Sequence, residues 1–327
     1  MPNTWHMVHL GSRAVGGAGL VICEASGVCP EGRISPQDAG IWSAAHAEAW
    51  APIVAFIKAQ GSVAAMQLAH AGRKASTFAP WRGTGAADAT HGGWQVVAPS
   101  AVAFADNYPM PREMNHADID KCVADFEWGA QHALQAGFEV VEIHMAHGYL
   151  LHEFLSPLSN LRRDEYGGSL ENRMRLPLRV AEAVRKAWPA HLPVFVRISA
   201  SDWQEGGWNI EQSVELCQRL KTLGIDLIDV SSGGNAADAK IALAPGYQVP
   251  FATAIKNEAG IASSAVGLIT NAVQAEQIVA TGLADAVCLA RVLLRDPYWP
   301  RHAATELGVD AHWPDQYKRG AVGPFGR

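Results

Sequence analysis

The chain has 327 residues, 49% hydrophobic and 18% charged, with a formal net charge of −6 from 26 basic and 32 acidic residues. That balance supplies a sizeable core and excludes disordered and fibrous classes. No basic stripe points to nucleic acid as a partner, and no apolar run reaches the roughly 20 residues of a membrane span. The five cysteines, Cys23, Cys29, Cys122, Cys217 and Cys288, are scattered and lack CxxC spacing, which argues against iron–sulfur and structural zinc sites. With no signal peptide pattern, a reducing, cytoplasmic setting is expected.

Residues 1–15 read as helix or loop, with no strand before them. Short runs rich in Val, Ile and Leu then recur, and their nearly continuous hydrophobicity suggests strands buried on both faces of a parallel sheet. The first two are Gly19–Ser26 and Ser62–His70, followed by a long insertion, Ala71–Asn115. Over Asp118–Gly137 the set Ile119, Val123, Phe126, Ala130 and Leu134 is spaced 4, 3, 4 and 4, one face of a helix that Gly137 ends. The strand Phe138–Met145 and a second insertion, Gly148–Glu171, come next. Helical spacing returns at Val180, Val184 and Trp188, and again at Val214, Cys217 and Leu220, on either side of the strand Pro193–Ala200. Asp226–Gly233, Ser263–Ile269 and Asp285–Leu294 complete the strands, with Asn271 as N-cap of a helix carrying Val273 and Ile278. Alternating strand and helix gives βαβ units. Seven strands behind a leading helix predict one domain over 1–327, an α/β (β/α)8 TIM barrel whose first strand is absent from this chain. The insertion 71–115, after the strand ending at His70, is expected to act as a lid.

Barrel chemistry gathers at the carboxyl ends of strands. Those ends carry Glu24-Ala25-Ser26, Gln67 and His70, His144 and His147 with Tyr149, Arg197 with Ser199, Ser231-Ser232-Gly233, Gly267, and Ala290-Arg291. In EIHMAHGYL one histidine ends a strand and the other opens a loop, so two neutral imidazoles could donate to one oxygen and polarise a carbonyl. A helical HxxH metal pair or two satisfied loop histidines are the competing readings. Tyr149 is either an aromatic loop anchor or a proton donor beside that carbonyl. Arg197 is the only charge in PVFVRISA, so it should face a carboxylate or an electron-rich ligand. Gln67 offers a donor and an acceptor to a heterocycle edge, or is a satisfied core amide. Gly267 and Arg291 stand where barrel phosphate sites occur, after the last two strands. For Lys74, in HAGRK, a solvated or lid role is expected.

By the segments EASGVCPEGRISPQD, QLAHAGRKAS, EIHMAHGYLLHEFLSPLSNLRRDEYGGSLENR, VRISASDW, PGYQVPFA and LARVLLRDP, the chain resembles the old yellow enzyme family of FMN-dependent ene-reductases, in its bacterial xenobiotic reductase and YqjM-like subgroup. The likeness runs from about Trp5 to Gly320. It implies non-covalent FMN, with Ala25 and Gln67 against the isoalloxazine ring, Arg197 near N1 and O2, and Gly267, Ala290 and Arg291 at the phosphate. It also implies that His144 and His147 bind the carbonyl oxygen of an enone or enal. Hydride then passes from flavin N5 to the β-carbon and Tyr149 protonates the α-carbon, after NADPH or NADH has reloaded the flavin. By the same likeness Arg319, in QYKRG, would reach a neighbouring subunit's active site, in a homodimer or a tetramer of dimers.

Two departures stand out. Ala290-Arg291 replaces the family's Gly-Arg, which leaves backbone donation intact. The family's capping hairpin, first strand and redox-tuning cysteine are not in this sequence. Two exposed sheet edges are then expected to weaken the chain or its hold on FMN unless another segment closes the gap. The alternative is thus a catalytically impaired barrel that binds phenols or aldehydes without turnover. Dienoyl-CoA and amine-oxidising relatives would carry a cysteine cluster after the barrel. A flavin-free aldolase or isomerase would carry a strand-end lysine or a carboxylate metal cluster.

Overall fold

The computed structural model describes residues 1–320. Helix α1 (Thr4–Val15) opens on a reciprocal cap, in which Asn3 Oδ1 accepts the Trp5 N–H at 2.8 Å and His6 Nδ1 accepts the Asn3 N–H at 3.1 Å. There follow β1 (Leu20–Ile22), β2 (Ser26–Gly27), α2 (Ala44–Ala59) and β3 (Val63–Ala69). The first insertion contains only the short pair β4 (Val97–Ala98) and β5 (Arg112–Glu113) besides turns. Then come α3 (His116–Gln135), β6 (Val140–Met145), α4 (Leu150–Leu155), α5 (Leu170–Ala187), β7 (Val194–Ser199) and α6 (Ile210–Thr222). The chain continues through β8 (Leu227–Ser231), α7 (Val249–Ala254), β9 (Ala262–Ala265), α8 (Ala272–Ala280), β10 (Ala286–Val287), α9 (Arg291–Arg295) and α10 (Trp299–Glu306).

One parallel sheet runs β1-β3-β6-β7-β8-β9-β10, with β2 also paired to β3. Strands in sequence order joined through helices form the α/β barrel architecture expected from the chain. All six residues of β6 are buried, which is why its polar and apolar positions do not alternate on the surface. Val141, Ile143 and Met145 belong to the hydrophobic core, while Glu142 and His144 occupy the opposite face. β1 and β10 end the sheet and are not paired to each other among the described residues. The helix layer nevertheless joins across that side. Arg13 Nη2 donates to the Leu293 carbonyl at 2.9 Å, and Arg301 donates from Nε and Nη2 to the Val15 carbonyl at 3.0 and 2.8 Å. No helix among the described residues is long and apolar enough to cross a membrane.

Several sequence boundaries need correction. The expected strand Asp285–Leu294 is only two residues long, because Ala290 (φ −114°, ψ −82°) breaks the extended path and the apolar run continues as α9. A short apolar run reads alike in either state. Gly19–Ser26 is interrupted between β1 and β2, and Gly267 lies beyond β9. α3 starts at His116, since Asp118 is the reciprocal partner of the Asn115 cap. Its inward stripe passes through Ala133 and leaves Leu134 36% exposed. Asn271 caps α8 as expected, yet Val273 faces solvent and Ala272, Ala275 and Ile278 point inward.

Candidate active site

Parallel register brings alternate side chains of neighbouring strands into shared rows. Gln67 pairs with Glu142, His144 with Arg197, Arg197 with Asp229, and Asp229 with Ser264. These residues form a polar belt inside the barrel. Gln67 Nε2 donates to Glu142 Oε1 at 2.7 Å, Arg197 Nε lies 3.1 Å from Asp229 Oδ2, and Ser264 Oγ donates to Asp229 Oδ1 at 2.9 Å. Burial lowers Arg197, but the Asp229 and Glu142 carboxylates more than offset it and hold its pKa above the ordinary value. Burial, reinforced by Asp229, pushes Glu142 up against the pull of Arg197. Arg197 therefore has the carboxylate partner its isolation predicted. Glu142 and Asp229 were not picked out from the sequence, although each is a lone acid in an apolar run (VVEIHM and LIDVSS), the same signal that marked Arg197.

His144 is the next-to-last residue of β6 and its Nδ1 accepts the Ala146 N–H at 3.3 Å, which leaves the ring proton on Nε2. His147 sits at φ +60°, a left-handed conformation that costs on the order of 1 kcal/mol or more outside glycine. It is held there by donation from its N–H to Ser199 Oγ at 2.9 Å, and its Nε2 lies 2.7 Å from Ser231 Oγ. The two imidazoles meet edge to face, with centroids 5.2 Å apart, and the Tyr149 ring is also 5.2 Å from His144. Burial, with Arg197 nearby, keeps His144 well below the ordinary histidine range. Burial, then His144 and Arg197, does the same for His147. Burial also raises the Tyr149 phenol to about 12. All three groups are therefore neutral hydrogen-bond donors near neutral pH.

The loop carrying them is anchored from behind by residues no local pattern had marked. His152 Nδ1 accepts the Gly148 N–H at 2.9 Å, and its Nε2 stands 3.0 Å from Asp202 Oδ1, both side chains fully buried. Asp202 Oδ2 accepts from Ser156 Oγ and the Trp208 N–H. Lys74 is not the solvated loop residue expected. Its Nζ donates to the carbonyls of His147 and Gly234, each at 2.9 Å, and lies 4.4 Å from the Phe104 ring. Burial lowers it to about 8. Three loops converge on that one ammonium, an arrangement that local spacing cannot reveal.

The remaining candidates lie along the rim. Ala25 is half-buried between β1 and β2, Gly267 follows β9 and Ala290-Arg291 open α9, with the last two exposed. Gly267 (φ +124°) precedes Leu268 (φ +53°), and a Cβ on Gly267 would stand 2.9 Å from Gln248 Nε2. Gln248 also accepts from Ser231 and Ser232 and donates to the Val266 carbonyl, tying this turn to the histidine site. Arg319 lies apart from this group, exposed in the turn Asp315–Gly320. These residues fit FMN. Arg197 is a permanent charge that lies against Asp229 without a directed hydrogen bond to it, and Gln67 keeps its Oε1 as an acceptor. The first-turn N–H groups of α9 have no partner within the helix, and Arg291 adds a cation there.

The NADH:flavin oxidoreductase / NADH oxidase family model matches residues 1–309. The NADPH dehydrogenase of Geobacillus thermodenitrificans is 50% identical over 318 residues, 97% of this chain and 88% of that protein. Morphinone reductase in complex with tetrahydroNAD superposes with a TM-score of 0.75 at 27% identity, over 96% of this chain and 84% of that one. The old yellow enzyme homologue from Zymomonas mobilis gives 0.77 at 27% identity, over 97% and 89%. The chain belongs to the NADH:flavin oxidoreductase / NADH oxidase family, as an enzyme of the old yellow enzyme type that uses FMN with NADPH or NADH as reductant.

Proposed function

We propose that this chain reduces the carbon–carbon double bond of α,β-unsaturated carbonyl compounds. The observation that carries the reading is the pair of neutral imidazoles, His144 and His147, with the Tyr149 phenol 5.2 Å from one of them. His144 and His147 bind the carbonyl oxygen and stabilise the negative charge that develops on it. Neutral rings can do this without giving up a full proton. Tyr149, protonated up to about pH 12, delivers a proton to the α-carbon. Hydride is carried from NADPH to the β-carbon by FMN when it is bound. Ala25 and Gln67 contact its ring, Arg197 supplies the balancing charge, and Gly267, Ala290 and Arg291 hold its phosphate. Segment 71–115 covers the substrate as a lid within one barrel domain, and Arg319 is free to reach a second copy of the chain.

Tyr149→Phe should slow enone reduction by about 10²-fold or more while NADPH still bleaches the flavin at the normal rate. His144→Ala with His147→Ala should abolish the absorbance change that a phenol causes in the bound flavin. Enone turnover unchanged in these variants would overturn the assignment. A wild-type chain that is reduced by NADPH yet yields no saturated ketone would be a flavin dehydrogenase with a different acceptor.

A further inference from the structure

A half-open cavity of about 390 Å³ is lined by Pro36, Gln37, Phe78, Arg82 and His91. That volume falls within the range of small-molecule pockets. Its walls come from two loops that also frame Tyr149. Ile34 and Tyr149 pack against one apolar cluster, made by Ala71, Ala75 and Val96. Pro36 and Gln37 follow Ile34 closely, at most about 7–11 Å along the chain. From the other loop, the Thr77 N–H donates to the Ile34 carbonyl at 3.0 Å, so Phe78 begins at the same junction.

The walls are held by their own contacts. Asp38 accepts from the Ile34 N–H at 2.8 Å and the Ser35 hydroxyl at 2.5 Å, fixing the turn that presents Pro36 and Gln37. The Phe78 N–H donates to the Gly85 carbonyl at 3.0 Å. Asp88 Oδ1 accepts from the N–H groups of Thr90 and His91 and lies 2.8 Å from His91 Nδ1, so this nearby acid is engaged with the histidine and its own turn. The Phe78 and His91 rings then stand edge to face with centroids 5.2 Å apart. Arg82 is exposed, and its guanidinium makes no hydrogen bond or ion pair among the described residues. None of the five lining residues is acidic.

The Pro36 and Phe78 side chains and the His91 ring beside an uncommitted guanidinium suit a purine nucleotide carrying a phosphate outside its main chain. In doubly wound dinucleotide-binding folds a carboxylate reads the ribose 2′-hydroxyl of NADH, whereas an arginine accommodates the 2′-phosphate of NADPH, and the same charge chemistry applies to a lone arginine here. The planar fork of arginine matches phosphate oxygens better than a lysine point charge does. We propose that this cavity receives the adenosine 2′-phosphate end of NADPH, with Arg82 on the 2′-phosphate and Phe78 and His91 against the adenine, so that Arg82 sets the preference for NADPH over NADH. The inference rests on placing the reaction at His144, His147 and Tyr149, but it does not require an enone as the final acceptor.

The test uses the FMN-loaded full chain mixed anaerobically with either coenzyme, reading the rate of flavin bleaching, so the acceptor plays no part. Arg82→Ala should raise the half-saturating NADPH concentration about tenfold or more, leaving the limiting rate and the NADH dependence unchanged. Arg82→Lys should recover part of the loss. Calorimetry provides a second readout: wild-type protein should bind 2′,5′-ADP more tightly than 5′-ADP, and Arg82→Ala should remove that difference. Equal effects on both coenzymes, no effect on either, or no preference for 2′,5′-ADP in the wild type would each overturn the proposal. Absence of enone reduction alone would leave it standing.

Discussion

Glu153 is fully buried, with Oε1 accepting the Arg73 N–H at 2.8 Å and Oε2 lacking any partner. Burial raises this carboxyl from the ordinary 4.5 to about 8, because the neighbouring Arg73 and Lys74 only partly compensate for lost water. The folded state thus keeps a proton that the unfolded chain releases above 4.5. Its stabilising effect is complete below that value and fades as pH rises towards about 8. Glu153→Gln retains the acceptor for Arg73 and cannot ionise. Thermal melts should show the variant gaining on the wild type from pH 5 to pH 8, by at most about 1.4 kcal/mol per pH unit. A difference independent of pH would mean that Glu153 is ionised in the folded protein. Nothing near Glu153 in HGYLLHEFL distinguishes it from a surface acid of a helix, whereas Arg197, alone in an apolar run, was legible at once.

At the scale of elements, the loop between β6 and α4 depends on a partner from the loop after β7. His152 transmits that support, with the Gly148 N–H on one nitrogen and Asp202 near the other. Both Asp202 oxygens face donors, so an amide nitrogen cannot replace either without a clash of hydrogens. Asp202→Asn should cost about 1–3 kcal/mol of stability. It should also weaken phenol binding more than FMN binding, because the loop it supports carries His147 and not the phosphate rim. Melting curves and a phenol titration followed by flavin absorbance measure both, and unchanged values would show the anchor to be idle. The cap at Asn271 was readable, whereas the cap of α3 at Asn115 fell within the expected insertion. The short end of the sheet at β10 was not readable either, since two paired residues leave no periodicity to read.

For the whole molecule, buried histidines and buried carboxyls pull the pH dependence in opposite directions. Burial lowers His46 and His70 to about 4, and His144 and His147 also lie well below the ordinary 6.5. The unfolded chain takes up protons below 6.5 that these folded sites refuse, so stability should fall steeply as pH drops through that value. Above it the histidines no longer contribute a slope, and Glu153 brings a gentler decline towards about 8. Melting temperatures from pH 4.5 to 8 should therefore peak near neutrality, below the range where Lys74, lowered to about 8, adds a rising contribution. A curve that rises or falls throughout would contradict this assignment of neutral histidines and a neutral Glu153. Carbonyl binding should hold across that acid limb, because His144 and His147 remain neutral donors in the folded protein well below 6.5.

Sequence alone determined the alternation of strand and helix, the positions of most strands, and the identity of His144, His147, Tyr149, Arg197 and Gln67 as unusual residues. Those features are local: hydrophobic periodicity, caps and an isolated polar side chain are properties of a few consecutive residues. Tertiary structure alone decided which charges meet. Glu142, Arg197 and Asp229 come from three strands and share the barrel interior through register. His152 on α4 finds Asp202 in the loop after β7, and Lys74 reaches carbonyls from two other strands' loops. Whether a buried ionisable group is paired, neutral or strained depends on neighbours distant in sequence, and burial sets how strongly they act on it.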